Sequence, residues 1–173
     1  MNSIIIENYE IPIESHKGKI IVIGSDHRGY AHKKELIKFL KEKNYGIIDV
    51  GTDSEERCDY PEISDKIGRN VSNNYLNSVG IGICGSGIGI IIPASKYGRI
   101  IASRCLTAED AISSRKHNNS NVIGLSADLI TIEESINIIE SWLETKFYSD
   151  KEKDDAYLKR YLQTIKLEEQ HKY

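Results

Sequence analysis

The feature that most constrains this chain is an alternation of short β-branched runs with amphipathic helical patterns. Ile20-Ile21-Val22-Ile23 is continuous and closes on Gly24, which reads as a strand buried on both faces. Further strands are predicted at Gly46–Val50, Val79–Ile83, Arg99–Ser103 and Asn121–Leu125. Between them, residues 31–43 carry Leu36, Ile37 and Leu40 on one face among lysines. Pro61 opens a second helix to about Tyr75, with Ile63, Ile67 and Val71 in register. Thr107 and Thr131 stand three residues ahead of Asp110 and Glu134, the spacing of a capping box. Helices are therefore predicted over 108–117 and 131–143, with a short one after Gly89 and a charged one over 154–170. Strands that alternate with helices argue for an α/β class, with a parallel sheet covered on both faces, a doubly wound three-layer α/β/α sandwich. Residues 1–18 read as a polar N-terminal extension, 19–147 as the domain, and 148–173 as a charged C-terminal helix that completes it.

Charge narrows the classes of function. Lys and Arg number 23 against 26 acids, a net charge of -3, so no basic field points to nucleic acid. The cysteines are Cys58, Cys84 and Cys105, an odd and low count that argues against a disulfide framework and fits a reducing compartment. The N-terminus has a three-residue apolar run and then acids, not the basic start and apolar stretch of about 7–15 residues of a signal peptide. No stretch approaches the roughly 20 apolar residues of a membrane span. A cytoplasmic location, with no membrane partner, is the expectation. Paired-His and Cys-x-x-Cys spacings are missing, so neither a structural zinc nor a thiol redox pair is expected.

In a doubly wound sheet, ligands bind beyond the carboxyl ends of the strands, where the strand order reverses. That rule selects Ser25-Asp26-His27, the stretch Cys84-Gly85-Ser86-Gly87-Ile88-Gly89, and then Thr52 and Asp53. The glycine loop is either an anion site made of bare N–H groups ahead of a helix or only a tight turn. Its spacing is neither the dinucleotide fingerprint nor a Walker loop. Cys84 at its mouth is either a thiol activated by a helix N-terminus, able to serve as a base, or a small buried hydrophobe. Asp26 caps the helix that starts near Gly29, and with His27 it could also hold sugar hydroxyls or an anion. His117 ends a helix, where the dipole favours a cation and the following asparagines suit a left-handed stop. His16, His32 and His171 lie in polar, solvated stretches and receive no role.

Taken in order, Gly24-Ser25-Asp26-His27-Arg28-Gly29-Tyr30, Asp49-Val50-Gly51-Thr52, Cys58-Asp59-Tyr60-Pro61, Ile83 to Gly89 and His117 to Val122 resemble type B ribose-5-phosphate isomerases. That family is shared with the subunits of galactose-6-phosphate isomerase. The resemblance spans about residues 19–147. It implies a five-stranded Rossmann-like sheet and an aldose–ketose isomerase that needs no metal. It also implies a homodimer, often paired into a tetramer, with active sites at the subunit interface. By match, Cys84 is the base that moves a proton between C1 and C2, and His117 opens the furanose ring with help from Ser86. Gly85, Gly87, Ile88 and Gly89 would cradle the enediolate, and Asp26, His27 and Asn118 would bind substrate.

The phosphate end departs from the family pattern. Asp128 stands where the family has an arginine, and the tail region from Tyr148 to Asp155 lacks the family's arginine segment. Lys151, Lys153, Lys159 and Arg160 are the expected substitutes, with Arg28 and Arg104 as further cations. The resemblance thus points to ribose 5-phosphate and ribulose 5-phosphate. A hexose-6-phosphate isomerase and a non-catalytic phospho-sugar-binding relative are the alternatives.

Overall fold

The structure is a computed structural model that describes residues 3–147 and 156–170. A hairpin of β1 (Ser3–Ile6) and β2 (Tyr9–Pro12) comes first. The main body runs β3 (Ile20–Ser25), α1 (Tyr30–Glu42), β4 (Ile47–Asp49), α2 (Tyr60–Asn73), β5 (Ser78–Cys84), β6 (Ala102–Arg104), α3 (Ala108–Asn118), β7 (Val122–Ser126), α4 (Ile132–Glu144) and α5 (Ala156–Gln170). The five-stranded sheet has the order β4-β3-β5-β7-β6, and its paired strands are parallel.

Alternation along β3 explains the three layers. Ile21 and Ile23 face one side and pack with Leu36 and Leu40 of α1 and with Ile138, Ile139, Trp142 and Leu143 of α4. Val22 faces the other side and packs with Ile63, Ile67 and Val71 of α2. Each fully buried Ile or Leu side chain contributes about 1.5–3 kcal/mol relative to exposure. Both threonine caps form complete capping boxes, Thr107 with Asp110 and Thr131 with Glu134.

The sequence reading needs correction in several places. The N-terminal segment is not simply a polar extension: Tyr9 and Ile11 are buried and form a separate cluster with Phe147, Tyr161 and Ile165. Its turn places Glu7 at φ 54, without the glycine that would have announced a hairpin. His16 is not solvated. It is buried, meets the Trp142 ring edge-on at 4.6 Å, and has Nε2 3.1 Å from the Ser120 carbonyl oxygen. Burial and the neighbouring Arg115 charge hold its pKa well below the usual imidazole range. The predicted strand at Arg99–Ser103 starts late, at Ala102. Arg99 has φ 65, and the Ile101 N–H donates to the Asn121 side chain at 2.9 Å rather than to a neighbouring strand. The helix expected after Gly89 is instead two single 3-10 turns, Gly89–Ile91 and Ala94–Lys96, on either side of Pro93.

Candidate active site

The chain leaves β3 toward β4 on one side and returns to β5 on the other, so the strand order reverses between β3 and β5. Their carboxyl ends meet there: Ser25 pairs in register with Ile83, and the Asp26 N–H donates to the Ile83 carbonyl at 3.1 Å. Asp26, His27, Cys84 and the glycine loop therefore share one crevice, where a ligand of an open α/β sheet belongs.

Cys84 is the last residue of β5 and only 4% exposed. Its sulfur accepts the Gly87 N–H at 3.2 Å and lies 4.0 Å from Ser86 Oγ. This direct N–H contact replaces the helix dipole that the sequence suggested, since only a 3-10 turn follows. Gly87 has φ 72, a conformation that favours glycine. Ser86 Oγ accepts the Ile88 N–H at 3.2 Å. Two of the loop's N–H groups are thus committed within the loop, while those of Gly85 and Ser86 make no hydrogen bond among the described residues. Gly89 lies against Tyr60, whose ring a Cβ at 89 would approach to 3.0 Å. Tyr60, more than a third exposed at this rim, received no role from the sequence.

Asp26 Oδ1 accepts the Arg28 and Gly29 N–H groups at 2.9 and 3.2 Å, but it caps a single 3-10 turn, His27–Gly29, rather than α1, which follows Gly29 with no side-chain cap. His27 Nδ1 lies 3.1 Å from the Cys58 carbonyl oxygen and 3.4 Å from the Cys58 backbone nitrogen, so the ring is anchored on the loop ahead of α2. The Arg28 guanidinium donates to Asp128 through Nε at 3.2 Å and Nη2 at 2.7 Å, and this pairing raises its pKa further. Arg104 Nε donates to the Ser86 carbonyl at 2.8 Å from the other flank. Cys105 is buried, and desolvation pushes its thiol up to about 11. Among the described residues no group of three or more His, Cys, Asp or Glu is arranged to hold a metal ion, and no helix is long and apolar enough to cross a membrane.

His117 and Asn118 are not in this crevice. They end α3, which leads into the first residue of β7, Val122, whereas Cys84 pairs in register with the last, Ser126. At about 3.3 Å per residue these ends are roughly 13 Å apart along the strand. At that amino edge the chain is firmly held. Asn119 is left-handed at φ 59, and the buried Arg115 bonds both its side chain and the Glu14 carbonyl. Burial lowers the Arg115 pKa to about 10. The His117 ring stacks on Tyr157 at 4.5 Å with 10° between planes, and the Arg160 guanidinium lies 5.7 Å from the same Tyr157 ring. Lys159 and Arg160 are exposed on α5. Lys151 and Lys153 lie outside the described residues.

The family model for ribose/galactose isomerase matches residues 21–158. The chain belongs to this family. It is an isomerase of the aldose–ketose type. Ribose-5-phosphate isomerase B of Escherichia coli is 36% identical over 129 residues, covering 75% of this chain and 86% of that protein. The structure of Clostridium thermocellum ribose-5-phosphate isomerase B superposes with a TM-score of 0.81 at 33% identity, covering 88% of this chain and 99% of that one. Ribose-5-phosphate isomerase B of Mycoplasma genitalium with bound ribulose-5-phosphate matches at TM-score 0.80 and 30% identity, over 87% of this chain and 96% of that one. These matches bear out the α/β sandwich and the family read from the motifs.

Proposed function

We propose that the chain interconverts ribose 5-phosphate and ribulose 5-phosphate through an enediolate, at sites that two copies build together. The observation that carries this reading is the Cys84 sulfur held 3.2 Å from the Gly87 N–H at the switch point of the sheet. The Mycoplasma genitalium relative with bound ribulose-5-phosphate supports the choice of substrate.

Ring opening moves the anomeric hydroxyl proton to the ring oxygen, and His117 is the group for this transfer. Cys84 as thiolate then removes the proton on C2, and the electron pair passes to O1. The N–H groups of Gly85 and Ser86 and the Ser86 hydroxyl face the charge that develops there, the type of preorganised stabilisation that lowers such barriers most. Returning the proton to C1, while the O2 proton is lost and O1 gains one, completes an internal oxidation of C2 and reduction of C1. No external oxidant or cofactor enters this balance. Asp26, His27 and Asn118 bind the sugar. Because His117 and Cys84 stand at opposite edges of one sheet, a second copy must supply His117 and Asn118. Arg160 would arrive with them through its neighbour Tyr157, as would Lys159, and they would bring positive charge for the phosphate, together with Lys151 and Lys153.

Proton NMR of the purified protein with ribose 5-phosphate in deuterated water tests the proposal. Ribulose 5-phosphate should form with deuterium at carbon. Saturable binding without turnover would instead assign a non-catalytic relative, and faster turnover of allose or galactose 6-phosphate would assign a hexose-phosphate isomerase.

A further inference from the structure

We infer that Arg28, oriented by Asp128, binds the substrate's phosphate group from the chain that carries Cys84. This rests on the phospho-sugar reading above. Arg28 is tied at both ends. Its backbone N–H donates to Asp26 Oδ1 at 2.9 Å, and its guanidinium meets Asp128 side-on through Nε and Nη2 at 3.2 and 2.7 Å. Asp128 is fixed in turn, because its backbone N–H donates to the Gly85 carbonyl at 3.1 Å. The pair lies flat on the glycine loop: a Cβ at Gly85 would fall 2.6 Å from Arg28 Nε and 2.8 Å from Asp128 Oδ2. The loop is thus cut back at the residue next to Cys84, and the pair fills the space.

Stability does not account for such an arrangement. The side chains are 56% and 42% exposed, and ion pairs with that exposure contribute little. What the pairing does is fix a guanidinium plane. A side-on carboxylate takes the Nε edge and leaves Nη1 and the second hydrogen of Nη2 as a fork, the geometry that matches two oxygens of a phosphate. Nη1 has no partner among the described residues. The charge pattern agrees. Asp26 and Asp128 both stand at this edge, and a substrate dianion needs cations that outweigh them. The arginines placed here by their contacts are Arg28 and Arg104. Arg104 spends Nε on the Ser86 carbonyl, whereas the Arg28 guanidinium lies against Gly85, the residue next to Cys84.

The test uses inorganic phosphate as the probe, titrated by calorimetry into the full chain, alongside steady-state kinetics. Replacing Arg28→Met should weaken phosphate binding about tenfold or more, the loss of one or two charge-assisted hydrogen bonds. The KM for ribose 5-phosphate should rise by a similar factor while kcat changes little. Arg28→Lys should fall between, because it keeps the charge and loses the fork. Unchanged thermal midpoints show that both variants fold. Phosphate affinity within twofold of the unsubstituted chain would overturn the inference, as would a loss confined to kcat, which would tie Arg28 to Cys84 instead. If the unsubstituted chain turned over no phospho-sugar, yet bound phosphate through Arg28, the isomerase reading would fail and this inference would stand.

Discussion

Gly124 ties the fold to the chemistry, and Gly124→Ala is the substitution that exposes the link. A Cβ at 124 would fall 2.2 Å from the Gly87 carbonyl oxygen and 2.7 Å from Ile91 Cγ2. Ordinary non-bonded contacts are about 3.5 Å or more, so the Gly87 peptide must retreat by about 1 Å. It has little room to do so, because Gly87 already sits close to the Leu125 backbone: its own Cβ would fall 2.9 Å from the Leu125 carbonyl carbon. Overpacking of this kind costs about 1–3 kcal/mol, which for a domain of this size lowers the thermal midpoint by roughly 3–10 °C. The catalytic effect should be larger. Gly87 is also the residue whose N–H holds the Cys84 sulfur, and a displacement of about 1 Å at a reacting group costs on the order of 10²-fold in rate. Differential scanning calorimetry and the isomerase assay measure the two effects. Gly46→Ala is the control, since the nearest atom to a Cβ there is 3.8 Å away, at Ile20. A Gly124→Ala protein with the midpoint and kcat of the control would refute the account of the loop.

The remaining predictions concern the named groups. Cys84→Ala should cost about 10²–10⁴-fold in kcat, the usual worth of a general base, whereas Cys105→Ala should retain activity. Burial raises the Cys105 thiol from 9.0 to about 11, so between those values the folded chain holds a proton that the unfolded chain has lost. The stability this group contributes is complete below pH 9 and disappears as pH rises toward 11, a change of up to about 3 kcal/mol. Urea midpoints measured across that window should fall less steeply for Cys105→Ala than for the unsubstituted chain, and parallel slopes would contradict the assignment. His117→Ala should slow ribose 5-phosphate far more than an aldose phosphate too short to cyclise, because only the ring form needs the hydroxyl proton moved. Equal losses on both would place His117 in the enediol step.

Much of the architecture was legible because the relevant signals are local. The β-branched run at Ile20–Ile23 and the capping boxes at Thr107 and Thr131 act within a few residues. What was missed depends on long-range pairing. Tyr9 and Ile11 look like part of a polar tail until α5 supplies Tyr161 and Ile165 to bury them. His16 lies in a charged stretch and is buried only because Trp142 and Ser120 reach it from more than a hundred residues away. The helix predicted after Gly89 gave way to 3-10 turns at Pro93, which removes a backbone donor and restricts the residue before it. At the site, Cys84, Ser86, Asp26 and His27 followed from the rule of strand ends. The Arg28–Asp128 pair joins residues 100 apart in sequence. Asp128 alone looked like a lost cation, and only the fold shows that an arginine lies directly against it.

The central claim is that one site takes Cys84 from one copy and His117 from another. Mixing two inactive proteins, Cys84→Ala and His117→Ala, after unfolding and refolding them together, tests it directly. In a mixed dimer one site carries both defects and the other carries neither, so activity should return to about a quarter of the unsubstituted level when subunits assort at random. If the mixture stays as inactive as its components while light scattering shows that mixed dimers form, Cys84 and His117 do not work across two chains, and the account of the site is wrong.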